Sequence, residues 1–377
     1  MNNSNKLNYI TYQTFPAETA NSLQSMTMIK YFIKNGLDVK LIFPNRDKNS
    51  NSNLSILKNF YAINDNFEVK ITKHLLPFGK INFLNKFFFH LSHFLWGFFI
   101  TRNITEKNEL YFTRSDWVYY FLNKRGFKVI FEIHQYSKVR QFVLRKSKSY
   151  SSIHVFTTEL LKNSFILDKQ TKDRSLVLHN GFDEELFNQN IKKQDRRIIF
   201  VGNLLRFNKE RGINFLIESF KSSKLKDFTL YIVGGPENIV LKYKDILKNN
   251  NIKNVHFLGF KNRKDAILEI QKSEFGILYN ENSVHALNHT SPLKYFEYIG
   301  AGLKIISVDY LAHRELPGSE NLFFFNENDS NTFIEQILAA DREQEFINNK
   351  DNFGVNHRVK KILKFVARLE GFEPPTP

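Results

Sequence analysis

Ser291-Pro292-Leu293-Lys294-Tyr295-Phe296-Glu297-Tyr298-Ile299-Gly300-Ala301-Gly302 is the stretch on which the reading of this 377-residue chain turns. Ser291 is placed to cap a helix, and Pro292 suits the first helical position, where an N–H would find no intrahelical partner. The amides of Leu293 and Lys294 then open a helix N-terminus, and the dipole favours an anion in front of them. Glu297 lies one turn on, on the same side as Lys294. Gly300 and Gly302 close the helix, and residues 304–308 read as a buried strand. Such a helix suits a sugar nucleotide, with phosphates at the amides and hydroxyls at the carboxylate. An ordinary capped helix carrying a surface Lys–Glu pair fits the spacing equally well.

Outward from that stretch, strand and helix patterns alternate. In the first half, residues 7–11 read as a short apolar strand, 20–36 as a helix ended by Gly36, and 39–44 as a second strand. Residues 110–114, 129–133 and 153–157 read as further strands, and 175–180 lead into the turn signal Asn180-Gly181-Phe182-Asp183. The second half opens on the apolar strand 197–201. It continues with helix 214–221, strand 228–233, helix 240–249, strand 255–258, helix 264–272 and strand 275–278. Repeated strand-then-helix spacing argues for parallel sheets with helices on both faces. The expected fold is therefore α/β, with two Rossmann-like domains facing across a cleft and a C-terminal helix crossing back to the first. The expected limits are 1–187 and 188–350 for the domains and 351–366 for the crossover helix. The tail 367–377 carries three prolines in its last four residues and cannot continue a helix, so it is expected to be unstructured or a spurious extension.

Composition sets outer limits. A hydrophobic content of 42% supports two real cores and excludes wholesale disorder. The chain has no cysteine, which rules out disulfides and thiolate zinc sites and fits a reducing cytoplasm. The opening residues show no apolar run behind a basic one, so no signal peptide is expected. The net charge of +16 is uneven: residues 1–187 hold 26 basic and 15 acidic residues, against 28 and 23 in the remainder. Two acid-free stretches stand out. Residues 69–105 carry Lys70, Lys73, Lys80, Lys86 and Arg102, and residues 133–158 carry Lys138, Arg140, Arg145, Lys146 and Lys148. Within the first, residues 87–100 form an aromatic run too short for the roughly 20 residues that span a bilayer. Two readings stay open for it: a helix buried in the fold, or one lying in a membrane interface with lysines at anionic headgroups.

Several loops that follow strands could carry chemistry, since open α/β sheets bind ligands there. His134 follows the strand 128–133 in Phe131-Glu132-Ile133-His134-Gln135, where a packed or turn histidine is the plainer alternative. Gly202-Asn203-Leu204-Leu205-Arg206-Phe207-Asn208-Lys209-Glu210-Arg211-Gly212 is a glycine-flanked basic loop, able to wrap a pyrophosphate or simply to stay solvated. Val233-Gly234-Gly235-Pro236-Glu237 and Phe257-Leu258-Gly259-Phe260 end two further strands. The loop from Thr14 to Ser22 follows the first strand and ends in Asn21-Ser22.

Together these segments resemble family 4 glycosyltransferases of the GT-B fold, over about residues 7–366. The stretch 291–302 is similar to that family's donor-binding segment, where Ser-Pro-Leu-Lys-x-x-Glu-Tyr recurs before small residues. The resemblance implies catalytic roles for His134, Arg211, Lys294 and Glu297. His134 would contact the donor's sugar or phosphates and ligate no metal, and Gln135 takes the place of its usual acidic neighbour. Asn203 stands where relatives carry an arginine. Arg211 precedes Gly212 as the family lysine precedes its glycine, so it leads the implied diphosphate clamp, with Arg206 and Lys209 behind it. Gly234, Phe260, His289, Thr290, Ser291, Pro292 and Leu293 are the other implied donor contacts, and Asn21 and Ser22 lie on the acceptor side. The family's Glu-x7-Glu motif has His289 at its first position here. One carboxylate is kept, Glu297, expected at the ribose, and one is missing.

Absent motifs narrow the field. There is no Asp-x-Asp, no Gly-x-x-x-x-Gly-Lys-Ser/Thr phosphate loop and no His-Glu-x-x-His helix. The basic balance matches no recognisable nucleic-acid-binding pattern. The resemblance thus implies a transferase moving a sugar from a nucleoside-diphosphate donor to a glycan or lipid-linked acceptor. Such enzymes retain anomeric configuration, without cofactor or required metal, and here would serve a bacterial surface polysaccharide (lipopolysaccharide, O-antigen or capsule). Cytoplasmic placement is expected, or a peripheral one on the inner face of the cytoplasmic membrane. A sugar-nucleotide epimerase of related fold and a non-catalytic nucleotide-sugar or polyanion-binding protein stay open as rivals.

Overall fold

The computed structural model describes residues 5–46, 48–77, 85–147, 152–187, 190–206, 209–279, 282–343 and 352–369, with Asn85, Lys86, Arg206 and Lys209 described by their backbone alone. Most of the expected tail, from 370 on, lies outside the described residues. The chain forms two compact units, residues 1–178 with 358–377, and residues 179–357. Residues 179–187, placed with the first domain from the sequence, cluster with the second.

The strands of the first unit are β1 (Lys6–Ile10), β2 (Asp38–Pro44), β3 (Glu68–Thr72), β4 (Leu110–Thr113), β5 (Lys128–Ile133), β6 (Ile153–Phe156) and β7 (Ser175–Val177). They form one sheet of order β3-β2-β1-β4-β5-β6-β7, parallel at every pairing. The helices are α1 (Ala20–Lys34), α2 (Leu54–Tyr61), α3 (Asn85–Arg102), α4 (Asp116–Lys124), α5 (Lys138–Lys146), α6 (Glu159–Asn163) and α7 (Lys169–Asp173). Side-chain caps start several of them: Thr19, Asn53, Ser137, Thr158 and Asp168 each accept an amide of the first turn. Both faces of a parallel sheet are covered by helices, so its strands carry apolar residues on both sides. β5 shows the pattern, with Val129, Ile130, Phe131 and Ile133 all buried.

The second unit contains β8 (Arg197–Val201), the short β9 (Leu205–Arg206) and β10 (Lys209–Glu210), then β11 (Thr229–Val233), β12 (Val255–Gly259), β13 (Phe275–Leu278), β14 (Lys304–Val308) and β15 (Leu322–Phe325). Six of these make a parallel sheet of order β12-β11-β8-β13-β14-β15, while β9 and β10 pair antiparallel as a hairpin. Its helices are α8 (Ile213–Ser219), α9 (Glu237–Asn249), α10 (Arg263–Gln271), α11 (Val284–Asn288), α12 (Leu293–Gly300), α13 (Leu311–Arg314) and α14 (Ser330–Arg342). A last helix, α15 (Val355–Leu369), carries the chain back, and from Arg358 on it belongs to the first unit. Two helix-flanked parallel sheets and a returning C-terminal helix make up a GT-B-type fold.

The aromatic run 87–100 lies within α3, which is two-sided. Ser92, Trp96 and Thr101 are buried, and the Trp96 indole donates to Thr72 Oγ1 at 2.8 Å. Phe87, Phe94, Phe98 and Phe99 are exposed. Among the described residues no helix is long and apolar enough to cross a membrane.

Close backbone packing sets the C-terminal edge of the second sheet. A Cβ on Gly234 would lie 1.9 Å from the Gly202 carbonyl oxygen, so the loops after β8 and β11 meet only because that side chain is missing. Neither partner in this contact is a flexible side chain. Gly234→Ala should therefore destabilise the protein by about 1–3 kcal/mol, read as a lowered Tm in calorimetry. An unchanged Tm would mean that the two loops part freely.

Candidate functional site

In the second unit the site grows from α12. Tyr295, Phe296, Tyr298 and Ile299 are buried and fix the helix against the sheet. Tyr298 is central: its hydroxyl accepts the Val201 amide at 3.2 Å and faces the Ile277 carbonyl at 3.4 Å, tying α12 to β8 and β13. Gly276 makes room for this ring, since a Cβ there would stand 2.6 Å from it.

The start of α12 differs from the sequence expectation. Pro292, not Ser291, is the N-cap, and no side chain caps the helix. Ser291 is turned away: its Oγ accepts the Asn180 amide at 3.0 Å, and its carbonyl accepts from the Asn180 side chain. The Asn180-Gly181 turn therefore anchors the approach to α12. Leu293 and Lys294 remain at the helix N-terminus, where amides lack intrahelical acceptors.

Lys294 and Glu297 do not pair with each other. Lys294 Nζ donates to the Tyr279 carbonyl at 2.9 Å and lies 4.5 Å over the Phe200 ring. Burial first, and then the Arg211 guanidinium, push its pKa well below the ordinary lysine value, while Glu297 works the other way. Glu297 is buried and forms an ion pair with Arg263 at the start of α10. Arg263 was not foreseen, because nothing local in its sequence ties it to a helix some thirty residues on.

Arg211 is set by the β9–β10 hairpin. Its amide donates to the Leu204 carbonyl at 3.0 Å, and its Nη1 reaches back to the Asn203 carbonyl at 3.3 Å. The guanidinium thus lies over Gly202 and Asn203, where the resemblance placed a family arginine. Gly212 is required just after it, with φ +60° and a notional Cβ 2.0 Å from the Tyr279 ring. The side chains of Arg206 and Lys209 lie outside the described residues. Gly234 acts through its backbone, donating to the Gly259 carbonyl at 2.9 Å. Phe260 is 56% exposed and borders Gly235. His289 closes α11 as its C-cap, half-buried, with its pKa lowered by burial, and Thr290 follows it half-buried.

In the first unit the site centres on a buried carboxylate that sequence reading passed over. Glu132, on β5, is 1% exposed. Its Oε1 lies 2.5 Å from His134 Nε2 and 3.1 Å from Arg358 Nη2, with Gln24 Nε2 at 3.4 Å. Arg358 also contacts Met28 Sδ on α1 at 3.2 Å, so the returning helix is fastened at this point. Glu132, two residues before His134, is the carboxylate that orients the imidazole, with Gln135 standing where relatives carry an acidic neighbour.

The charges around this pair set its protonation. Burial would raise the Glu132 carboxyl, but Arg358, with His134 and Arg114 behind it, holds it well below the usual carboxylate range. Burial and then Arg114 push His134 down to about 3 against the opposing pull of Glu132. With the imidazole neutral, Arg358 and, behind it, Arg114 are the cations that keep Glu132 ionised. An ionised carboxylate only accepts, so His134 donates through Nε2–H and presents a bare Nδ1 acceptor. The turn that carries it is held by Arg140, which donates to the Gln135 carbonyl and pairs with Asp116 at 2.6 Å.

Arg114, directly after β4, was read as strand; its Nη2 donates to Asn21 Oδ1 at 3.3 Å, and Asn21 is exposed. Ser22 is buried, its amide held by Thr19 Oγ1 and its hydroxyl near Gln13 and the Thr14 carbonyl. Among the described residues, no three His, Asp or Glu side chains are grouped so that they could hold a metal ion.

Several buried or half-buried histidines are held neutral: His134 at about 3, and His74, His154 and His313 at about 4, against an ordinary value of 6.5. Below pH 6.5 the unfolded chain binds protons that the folded chain refuses, so stability present above 6.5 is lost as pH falls toward 4. Calorimetric Tm should drop steadily across that window; a flat Tm would contradict neutral burial.

Residues 195–340 match the family model described as glycosyl transferases group 1. Among solved structures, the chain is similar to the lipopolysaccharide outer core galactosyltransferase WaaB in its apo form: 12% identity, TM-score 0.62, covering 96% of this chain and 99% of that one. It is similar to a glycosyltransferase from Rickettsia africae ESF-5, at 14% identity and TM-score 0.61, covering 97% and 99%. The pneumococcal O-GlcNAc transferase GtfA, solved with UDP and GlcNAc, gives 12% identity and TM-score 0.65, again covering 97% and 99%. At such identities the likeness is one of fold. No curated protein matches the chain.

Proposed function

We propose, from the premise that this chain is a GT-B-fold glycosyltransferase related to glycosyl transferases group 1, that it transfers a sugar with retention from a nucleoside diphosphate to a hydroxyl of a glycan or lipid-linked acceptor, with no metal required, in the assembly of a bacterial surface polysaccharide such as lipopolysaccharide, O-antigen or capsule. The observation that carries this reading is the pairing of two cations at the α12 N-terminus. Lys294 Nζ rests on the Tyr279 carbonyl and over the Phe200 ring of β8, and the Arg211 guanidinium lies over Gly202 just after the same strand, so a diphosphate placed there would relieve the repulsion between the two basic groups. As the bond from the anomeric carbon to the diphosphate breaks, negative charge grows on the leaving phosphate. Arg211, Lys294 and the amides of Leu293 and Lys294 offset it, in the role a metal fills elsewhere. The acceptor oxygen bonds the same carbon, and its proton leaves with the diphosphate. Neutral His134 offers Nδ1 to a hydroxyl of a bound sugar, and Glu297, held by Arg263, helps to fix the start of α12 beside Lys294. The surface-polysaccharide setting is supported by the likeness to a lipopolysaccharide outer core galactosyltransferase.

Lys294→Met and Arg211→Met should each lower kcat by about 10²–10³-fold with Tm little changed, and His134→Asn should lower kcat while nucleoside-diphosphate affinity is kept. A panel of nucleotide sugars, none of which raised Tm, would remove the enzyme reading altogether.

A peripheral membrane placement is part of the proposal, on the inner face of the cytoplasmic membrane. Exposed Phe98 and Phe94 of α3 meet Phe121 at 5.5 and 5.3 Å, Phe94 meets Trp117 at 4.9 Å, and Tyr120 meets exposed Phe142 at 6.3 Å. This aromatic surface runs across α3, α4 and α5, and ends at a groove lined by Lys138, Gln141, Phe142, Arg145 and Lys146. Rings that enter an interface beside cations suit anionic lipid. Replacing Phe94, Phe98 and Phe142 by Ser should abolish flotation with phosphatidylglycerol vesicles. Flotation at the wild-type level would place any membrane contact elsewhere.

A further inference from the structure

A second polar group sits at the C-terminal edge of the first sheet, built from residues that follow its three outermost strands on the α3 side. Tyr12 follows β1, Arg46 follows β2 and His74 follows β3, and α3 supplies Ser92 and His93. His74 Nδ1 accepts the Leu76 amide at 3.2 Å, so its Nε2–H is the donor, 2.7 Å from the Tyr12 hydroxyl and 3.1 Å from Ser92 Oγ. The Tyr12 hydroxyl meets Ser92 Oγ at 2.5 Å, and Ser92 Oγ donates to the Leu76 carbonyl at 2.6 Å. This relay locks the Tyr12 ring in place.

Two nitrogen groups lie against that ring with capacity left over. The Arg46 guanidinium stands 4.6 Å from the ring centroid; its Nη1 donates to the Tyr12 carbonyl at 3.1 Å, and its Nε is buried with no partner among the described residues. The His93 ring packs on Tyr12 at 3.9 Å, and its Nε2 is likewise buried without a partner among the described residues. Buried polar nitrogens are seldom left unsatisfied. Among the described residues, the charged and titratable groups facing His74 and His93 are Arg46, Arg140 and His90, with no carboxylate. Arg140 is already balanced by Asp116. Burial, then Arg46, hold His74 at about 4 and His93 well below its ordinary value. Among the described residues the edge thus presents a guanidinium with no carboxylate facing it, beside a histidine whose protonated form an added anion would favour.

We propose that Arg46 and His93, seated on Tyr12, form a subsite for an oxyanion of the acceptor, namely a phosphate group. This inference rests on the glycosyltransferase reading and narrows the acceptor to a phosphorylated one. The geometry suits it: a guanidinium edge and an imidazole give directed donors to phosphate oxygens, and the strand ends are where such sheets take ligands.

The test uses the full chain with UDP present at saturation, so that added phosphate cannot report on the donor site. Inorganic phosphate should then raise Tm further, and the His93 ring signal in NMR should titrate at higher pH, because an adjacent anion favours the imidazolium. Arg46→Met and His93→Gln should each weaken phosphate binding at least tenfold while leaving the UDP-induced Tm shift intact. Repeating the titration with glycerol 3-phosphate and with phosphatidic acid in neutral vesicles separates a soluble from a lipid-borne phosphate, and Arg46-dependent binding of either supports the subsite. No phosphate effect in UDP-bound protein, an unmoved His93 midpoint, or unchanged affinity in both variants would overturn it. A failure of UDP and other nucleoside diphosphates to stabilise the protein would instead strike the donor reading.

Discussion

Parallel strand pairing is the constraint on which the rest of the molecule depends. Each sheet is covered by helices on both faces, so polar side chains have little place along the strands. They collect where the strands end. Tyr12, Arg46, His74, Arg114 and His134 follow five strands of the first sheet. In the second sheet, Gly202, Gly234, Phe260 and Tyr279 follow β8, β11, β12 and β13. The chemistry proposed for the chain is built on these two edges.

Glu132 departs from this rule, as do the buried Asn8, His154 and Arg197 on other strands. A carboxylate on a buried strand is costly unless it is paired and hydrogen-bonded. Here Arg358, arriving from the far end of the sequence, supplies the charge, and His134 supplies a second hydrogen bond. The arrangement does three things at once: it keeps Glu132 ionised, fixes the His134 tautomer and fastens the returning helix to α1 and β5. Removing Arg358 would leave a buried carboxylate with the neutral imidazole and the Gln24 amide as its hydrogen-bond partners, so this arginine serves the fold and the position of His134 together.

Some of this was legible in the sequence. The strand–helix alternation, the helix at 293–300 and the histidine after β5 follow from periodicity and from local signals. Clues to the Glu132–Arg358 pair were also present. Glu132 interrupts an otherwise apolar strand, and Arg358 falls between Val355 and Val359 on the buried stripe of α15, with Ile362 beyond. A charge at each of two buried positions asks for a partner, although the sequence does not say which. The capping role given to Ser291 failed for a related reason. A serine before a helix serves equally well as a cap or as an anchor for a distant turn, and the Asn180 contacts took it.

By itself the sequence determined the α/β class, the two-sheet organisation, the anion-ready start of α12 and the basic character of the first half, because periodicity, capping and composition are local properties. Only the tertiary structure decided which charges meet. Lys294 is matched to a backbone carbonyl and to Arg211, Glu297 to Arg263, Glu132 to Arg358, and Arg46 and His93 to one tyrosine ring. These pairings join residues far apart in the chain, and burial gives them their force: the same groups in water would interact weakly.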